Sequence, residues 1–467
     1  MSDLVWLSAT TLVSHYRAKT LSPVEVTRAV LDRIEVVNPK VNAYDLVDDA
    51  QALVSARESE ARWAQGTPHG PIDGVPTSIK DIILTKGWPT LRGSKTVDPA
   101  GPWNDDAPAT ARLREAGAVL VGKTTTPEFG WKGVTDSPLT GITRNPWNLA
   151  MTPGGSSGGA SAQVATGLGQ LAIGTDGGGS IRIPCAFAGI PGLKPSFGRV
   201  PAWPLSPFGT VAHLGPMART VADCALMLNV LARPDARDWF SLPYDGTDWT
   251  KDLALGVKGL RIAFSPRLGY VSYVHPEVEA RVAEAVKVLE SLGARVGAVD
   301  PGFPDAEAVF TAHWTSGAWN LLRKIPAEKH ALIEPGLREA AEHGGRYSLA
   351  DYFDAVAARG AMGERMRRFH TEWDLLVTPA VAVPAFEVGR LEPAAPTGQG
   401  TWTWWTPFSF PFNLTQQPAM SVPCGFTSAG LPIGLQIVGP MHRDDLVLRA
   451  GHAYEQATDH HRRRPAL

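Results

Sequence analysis

The sequence predicts an α/β fold built as one large domain. Helical and strand-like segments alternate between Ala107 and Thr124 and again between Val257 and Val299, an order that is typical of α/β proteins. The chain has 467 residues, of which 44% are apolar, which suffices for a large buried core. No linker, repeat or low-complexity segment indicates a domain boundary, so we expect residues 1–467 to form a single unit.

The N-terminal elements follow from capping and periodicity. The segment Ser22-Pro23-Val24-Glu25 forms a capping box with proline at the first helical position, and the helix it opens is expected to stop at Asn38-Pro39. A second helix is expected from about Asp45 to Ala64. A strand-like apolar run bounded by glycine and proline then begins at Gly74, and Lys80 interrupts it.

The later elements come from the alternating segments. We expect helices at Ala109–Ala116 and Pro276–Leu292, and strands at Ala118–Lys123, Leu171–Gly174, Leu260–Phe264, Arg295–Val299, Trp373–Thr378, Met420–Cys424 and Ile433–Val438.

Composition excludes several classes of function. With 44 basic and 46 acidic side chains, the chain lacks the positive charge of a general nucleic-acid binder. Its three cysteines lie too far apart for a disulfide framework or a zinc site, and we expect no metal and no cofactor. The N-terminus has no basic region followed by a long apolar run, and no segment could span a bilayer, so we expect a cytoplasmic protein without membrane contact.

The centre of the chain is rich in glycine and serine. Ten glycines lie between Gly154 and Ser180, a density that suits either flexible loops or a backbone that approaches a ligand closely. No lysine follows either glycine cluster, which argues against a phosphate-binding loop. The G-x-S-x-G match at 154–158 lacks the preceding strand of a nucleophile elbow, and no histidine lies nearby in sequence. The chemistry that remains for this segment is a serine nucleophile whose base is a residue other than histidine.

Lys80 is the candidate base. A lysine can accept a proton near neutral pH only when burial lowers its pKa, and the apolar residues around Lys80 could provide that burial. A solvated lysine, or one paired with Asp81, is the alternative.

Together, Lys80, the segment Gly154–Gly159 and Ser180 within Thr-Asp-Gly-Gly-Gly-Ser-Ile-Arg resemble the amidase signature family. The resemblance continues through 189–201, 211–223, 373–379, 411–414 and 418–425. It implies a central mixed β-sheet flanked by helices. Within that fold, residues 70–225 would form the catalytic core and residues 373–440 would line the substrate pocket.

The resemblance also implies residue roles. Ser180 would be the acylated nucleophile, Ser156, following a cis peptide from Gly155, would relay its proton, and Lys80 would be the final base. Phe129 and Gly130 would lie in the loop that contacts the acyl group. The oxyanion would be bound by the backbone N–H groups of Gly177, Gly178, Gly179 and Ser180.

The family contains free amidases and also the glutaminase components of tRNA-dependent amidotransferases. Where the glutaminases carry an aspartate for the substrate's amino group, this chain has Thr406, inside an aromatic run from Trp402 to Phe412. We therefore expect Trp405 and Phe408 to line a pocket for an apolar or aromatic amide, anilide or carbamate. The alternatives are an inactive scaffold and the glutaminase component of an amidotransferase. A homodimer is possible.

Overall fold

The chain is organised around one eleven-stranded sheet. The computed structural model describes residues 3–304, 306–396 and 401–467, so residues 397–400 of the expected pocket segment lie outside the described residues, as do residues 1–2 and 305. The strand order is β1-β3-β2-β6-β8-β7-β12-β13-β11-β9-β10, and β4 and β5 form a separate two-stranded sheet. The strands are β1 Tyr44–Val47, β2 Pro76–Lys80, β3 Val119–Thr124, β4 Asp136–Ser137, β5 Gly141–Ile142, β6 Leu171–Asp176, β7 Gly192–Lys194, β8 His213–Ala218, β9 Arg261–Phe264, β10 Arg295–Ala298, β11 Leu375–Pro379, β12 Ala419–Phe426 and β13 Pro432–Val438.

Helices flank this sheet. They are α1 Ala9–Ala18, α2 Pro23–Val41, α3 Asp49–Gln65, α4 Pro108–Glu115, α5 Gly158–Thr166, α6 Arg182–Ala188, α7 Val221–Leu231, α8 Pro276–Ser291, α9 Ala306–Leu322, α10 Pro335–Gly344, α11 Leu349–Glu372, α12 Pro411–Leu414 and α13 Asp444–Gln456. Parallel and antiparallel neighbours both occur in the sheet, which confirms the expected α/β fold with a mixed central sheet. Within the described residues, no helix combines the length and apolar character needed to cross a membrane.

Two of the predicted helix boundaries are wrong. The first helix passes through Pro39 and ends at Val41, because Asn42 adopts a left-handed conformation and donates its N–H to the Asn38 carbonyl. The second predicted helix covers two elements. Its first residues belong to β1, which pairs with β3, and α3 begins only after Asp48 accepts the Gln51 N–H as a cap.

The sheet brings the predicted catalytic segments together. Strands β2 and β6 are parallel neighbours, with Ile79 opposite Ile173, so their carboxyl ends lie at the same edge. Lys80 is the last residue of β2, and Asp176 is the last residue of β6. All five residues of β2 are buried, as expected for a parallel strand covered on both faces. The backbone therefore delivers Lys80 into the interior next to the glycine-rich turn after β6.

A buried ion pair holds that turn. Asp176 accepts the N–H groups of Gly179 at 2.7 Å and Ile181 at 3.2 Å, and its carboxylate lies 3.0 Å from the guanidinium of Arg182. Both charged side chains are fully buried. Burial alone would raise the pKa of Asp176, but the Arg182 charge and hydrogen bond hold it well below its usual range. Arg182 also donates to the Ser409 carbonyl, the Asn413 amide oxygen and the Gln436 amide oxygen.

Candidate active site

Lys80 is fully buried and lies among three hydroxyl groups. Its Nζ is 2.6 Å from the Oγ of Ser156, 2.9 Å from the Oγ of Ser157 and 2.8 Å from the Oγ1 of Thr175. Burial lowers the pKa of Lys80 well below its usual range, and the charge of Asp176 opposes that effect only in part. The contacts match what a neutral amine needs, because hydroxyls both donate and accept.

The alternative of a solvated or Asp81-paired Lys80 is wrong. Lys80 is not exposed at all, and the Asp81 carboxylate lies 3.2 Å from Nζ of Lys123 instead. Asp81 also accepts the backbone N–H of Arg92 at 2.8 Å. Lys80 is the last residue of β2 and Asp81 is the first residue of the turn after it, and the two side chains contact different partners.

The hydrogen bonds of Ser157 indicate which way the protons point. Its hydroxyl lies 3.2 Å from the Thr175 carbonyl, which can only accept, so the Ser157 proton is directed there. Lys80 must then donate to Ser157. A neutral amine has two N–H bonds and one lone pair, and that lone pair is left to accept from Ser156 or Thr175, of which Ser156 is the closer.

The backbone around Ser156 requires glycine at two positions. The Gly155–Ser156 peptide bond is cis. A Cβ added at Gly155 would lie 2.6 Å from the Val134 carbonyl carbon, and one added at Gly130 would lie 3.2 Å from the Ser156 Oγ. Gly130 also has a φ of 71°, in the left-handed region that favours glycine. A side chain at Gly155 would collide with the Val134 backbone, and one at Gly130 would meet Ile82 and crowd Ser156.

A cavity of about 290 Å³ opens onto both candidate serines. Ser156 and Ser180 line it together with Phe129, Gly130 and Gly177, so the structure brings these predicted site residues to one place. The Ser157 N–H donates to the Ser180 carbonyl at 3.1 Å, which ties the two serine segments together. Lys80 lies behind Ser156 and has no exposed surface.

One of the four predicted oxyanion donors is otherwise engaged. The N–H of Gly179 donates to the Asp176 carboxylate at 2.7 Å, so it cannot also bind a substrate oxygen. The neighbouring Gly178 carbonyl accepts the Ser409 hydroxyl at 2.6 Å, which fixes the orientation of this turn. The candidate set is reduced to the N–H groups of Gly177, Gly178 and Ser180.

The predicted aromatic residues lie in the core instead of the cavity. Trp405 and Phe408 are both 0% exposed. The Trp405 ring stacks on Phe187 at 5.8 Å between centroids and meets the edge of Phe386 at 5.0 Å. Neither Trp405 nor Phe408 lines the cavity, so their assignment to the substrate pocket is corrected to core packing.

Other aromatic residues form the cavity wall. Phe208 and Trp314 stack with their centroids 3.9 Å apart, and Trp203 lines the same cavity. Trp203 and Phe208 belong to an irregular segment between β7 and β8, and Trp314 belongs to α9, in the part of the chain whose sequence indicated no function. The cavity has aromatic residues in its wall, but they are not the residues from which the sequence predicted an aromatic pocket.

Sequence reasoning also missed His213. Strand β8 runs antiparallel to β6 and places His213 opposite Asp176, beside the cavity. Its Nδ1 is 2.8 Å from the Val211 carbonyl and therefore carries the proton, while Nε2 has no hydrogen-bond partner among the described residues. Burial lowers the pKa of His213 well below its usual range, and Lys194 contributes to that shift. His213 is thus a neutral histidine whose Nε2 acceptor is buried and, among the described residues, unpartnered.

Comparison with known proteins identifies both the class of the protein, an amide C–N hydrolase, and its family. The family model Amidase matches residues 25–448, so the chain belongs to the amidase signature family.

Individual relatives cover almost the whole chain. The acylamidase of Rhodococcus erythropolis is 38% identical over 472 residues, covering 99% of this chain and 98% of the relative. The A subunit of the glutamyl-tRNA(Gln) amidotransferase of Chloroflexus aurantiacus is 37% identical over the full length of both chains. The solved structure of a bacterial aryl acylamidase superposes with a TM-score of 0.91 at 33% identity, covering 98% of this chain and 97% of its own. Two kinds of relative are thus about equally similar, and the choice between them depends on the cavity.

The core position of Trp405 can be tested by truncation. Trp405→Ala should lower the free energy of unfolding by about 3–5 kcal/mol, because it removes a fully buried indole and leaves a void. The control Trp239→Ala removes an indole that is 81% exposed, and it should change the free energy of unfolding by less than about 0.5 kcal/mol. Urea unfolding followed by circular dichroism measures both. A raised KM without loss of stability in Trp405→Ala would restore the pocket assignment.

Proposed function

We propose that this chain is a free-standing amidase that hydrolyses an apolar or aromatic amide, anilide or carbamate through an acyl-enzyme on Ser180. The observation that carries the proposal is the buried contact of 2.6 Å between Lys80 and Ser156, beneath a cavity that also contains Ser180. A desolvated lysine next to a hydroxyl relay supplies the base that a serine nucleophile needs.

The proposed reaction proceeds in two halves. Ser180 Oγ attacks the amide carbonyl, its proton passes to Ser156 Oγ, and the Ser156 proton passes to Lys80 Nζ. The C–N bond then breaks, and the relay returns the proton to the departing nitrogen, which leaves as ammonia or an amine. In the second half water attacks the ester on Ser180 by the same relay, which releases the carboxylic acid and restores the serine.

The backbone would stabilise the tetrahedral intermediates. The N–H groups of Gly177, Gly178 and Ser180 lie in the turn that the Asp176–Arg182 pair fixes. Each donor aimed at the developing oxyanion is typically worth about 3 kcal/mol in the transition state. A rigid turn supplies these dipoles without reorganisation during the reaction.

The cavity favours a free amidase over the glutaminase component of an amidotransferase. Holding the α-amino group of glutamine calls for a carboxylate, and no aspartate or glutamate lines the cavity in the described part of the chain. Thr406 is buried and donates its hydroxyl to the Thr403 carbonyl at 3.0 Å. The glutaminase alternative is supported by the Chloroflexus relative. The contacts of Lys80 and Ser156 argue against an inactive scaffold.

The nucleophile assignment is tested by substitution. Ser180→Ala should abolish turnover and covalent labelling by a fluorophosphonate, while circular dichroism shows an unchanged fold. Ser156→Ala should also lose several orders of magnitude in kcat, because relay members act as a unit. Mass spectrometry locates the label. A label on Ser156 in the Ser180→Ala variant would reverse the two assignments.

The base is tested by pH dependence. The relay needs neutral Lys80, so kcat/KM should rise with pH through an apparent pKa well below the usual 10.5, the direction in which burial shifts this group. Lys80→Arg should be as inactive as Lys80→Met, since a guanidinium does not deprotonate. The exposed Lys95→Met variant is the control. Substantial turnover by Lys80→Arg would rule out the relay.

Substrate choice separates the two kinds of amidase. The isolated protein should hydrolyse an aryl or acyl anilide at least tenfold better in kcat/KM than glutamine or asparagine, a difference of about 1.4 kcal/mol that filling one aromatic pocket supplies. Released amine and ammonia are measured in parallel. Glutamine as the best substrate, or activity only with partner proteins and tRNA, would establish the alternative.

A further inference from the structure

The charged side chains of the catalytic cavity all have one sign. In the described chain, Arg92 and Lys324 line the cavity, whereas no aspartate or glutamate does. The remaining titratable side chain in the wall is His213, which burial keeps neutral by lowering its pKa. The other walls are apolar, aromatic or small. The described wall of the cavity therefore holds two cationic side chains and no acidic one.

The backbone holds Arg92 firmly at this place. Its N–H donates to the Asp81 carboxylate at 2.8 Å, and its carbonyl accepts the Phe129 N–H at 2.7 Å. Its φ of 58° lies in the left-handed region, where a non-glycine residue costs energy. Both anchors border the active site, since Asp81 follows Lys80 and Phe129 lines the cavity.

The Arg92 guanidinium makes no direct hydrogen bond or ion pair within the described part of the protein. No aromatic contact joins it to another described residue, although it is only partly exposed. Burial lowers the pKa of Arg92, and the charge of Asp81 opposes that effect only in part. The Asp81 carboxylate acts on the Arg92 guanidinium only through its charge, and its direct ion pair, at 3.2 Å, is with Lys123. By contrast, the buried Arg182 has an acidic partner, and so does Arg62, which lies 2.7 Å from Asp73. A half-buried guanidinium with five unused N–H donors is suited to an external planar anion.

Lys324 extends the positive charge to the cavity rim. It lies just beyond the end of α9, is exposed, and lines the same cavity as Arg92. A ligand that carried an ammonium group would meet two cations there and no acid. A ligand with a carboxylate would meet a guanidinium fork of matching geometry and a second charge nearby.

We propose that Arg92, assisted by Lys324, binds a carboxylate of the substrate, so that the amide hydrolysed at Ser180 has an apolar or aromatic body and a negatively charged end. This inference rests on the proposed function, because it names the substrate class of that same site. It makes Arg92 a specificity-determining residue that contacts substrate away from the scissile bond. Amino acid amides are disfavoured because they carry an uncompensated ammonium group.

Matched substrate pairs test the inference. On the acyl side, the mono-4-nitroanilide of adipic acid is compared with the 4-nitroanilide of hexanoic acid. On the amine side, hexanoyl-4-aminobenzoate is compared with hexanoyl-4-methylaniline. For each pair, the measured quantity is the kcat/KM of the carboxylate substrate divided by that of the neutral substrate. It is determined for the unmodified chain and for the variants Arg92→Met, Arg92→Lys and Lys324→Met. Lys95→Met is the control, because it removes an exposed charge outside the cavity.

The ratio should exceed ten in the unmodified protein for the pair whose carboxylate reaches Arg92. Arg92→Met should lower that ratio at least tenfold, mainly through KM, because a charge-assisted bidentate contact is lost. Arg92→Lys should retain part of it, Lys324→Met should lower it severalfold, and Lys95→Met should leave it unchanged. Raising the salt concentration should reduce the ratio, more strongly for the exposed Lys324 than for Arg92.

A binding measurement separates this inference from the proposed function. Titration calorimetry of the carboxylate and neutral anilides with Ser180→Ala, with and without Arg92→Met, reports recognition without turnover. Suppose that neutral anilides are hydrolysed, but the carboxylate-to-neutral ratio of kcat/KM is near one in both pairs or does not change in Arg92→Met. That result would overturn the carboxylate site and leave the proposed amidase function standing. Suppose instead that the carboxylates bind in an Arg92-dependent way, but the unmodified protein hydrolyses no anilide. That result would overturn the proposed amidase function and support the carboxylate site.

Discussion

The buried ion pair between Asp176 and Arg182 is the constraint on which the rest of the site depends. Two charges removed from water are tolerable only when every polar atom around them is hydrogen-bonded, and here the partners come from the glycine turn, Ser409, Asn413 and Gln436. The end of β6 is thereby linked to α12 and β13, more than two hundred residues later in the chain. The position of the nucleophile is thus determined by the packing of distant parts of the fold.

The contrast between Lys80 and the equally buried Lys123 explains the chemistry of Lys80. Lys123 is paired with the carboxylate of Asp81. Lys80 has three hydroxyls and, among the described residues, no carboxylate in contact. Hydroxyls satisfy a neutral amine and can pass a proton in either direction, whereas a carboxylate would stabilise the charged form. The absence of a direct counterion among these contacts is what suits this lysine to accept a proton.

A structural feature could be predicted from the sequence when the residues that determine it lie close together along the chain. Lys80, Ser156 and Ser180 stand in short motifs on β2 and beside the glycine turns, and the structure brings them together. His213 reaches the site through antiparallel pairing of β8 with β6, which no local pattern encodes. An aromatic run indicates burial but not its direction, so it predicts Trp405 in the pocket although this ring packs on Phe187. The engagement of the Gly179 N–H likewise depends on the fold of a whole turn.

The reacting side chains and the cavity wall come from different parts of the fold. Lys80, Ser156 and Ser180 lie at the sheet edge and in its turns. Much of the wall comes from the irregular segment that contains Trp203 and Phe208 and from the region around α9. Such segments tolerate insertion and substitution more readily than a strand buried on both faces. Selection could therefore exchange the wall without disturbing the chemistry beneath it. A chain of this design can diverge toward new amides by small steps in the cavity wall, while the strand and turns beneath keep the lysine and the two serines in place.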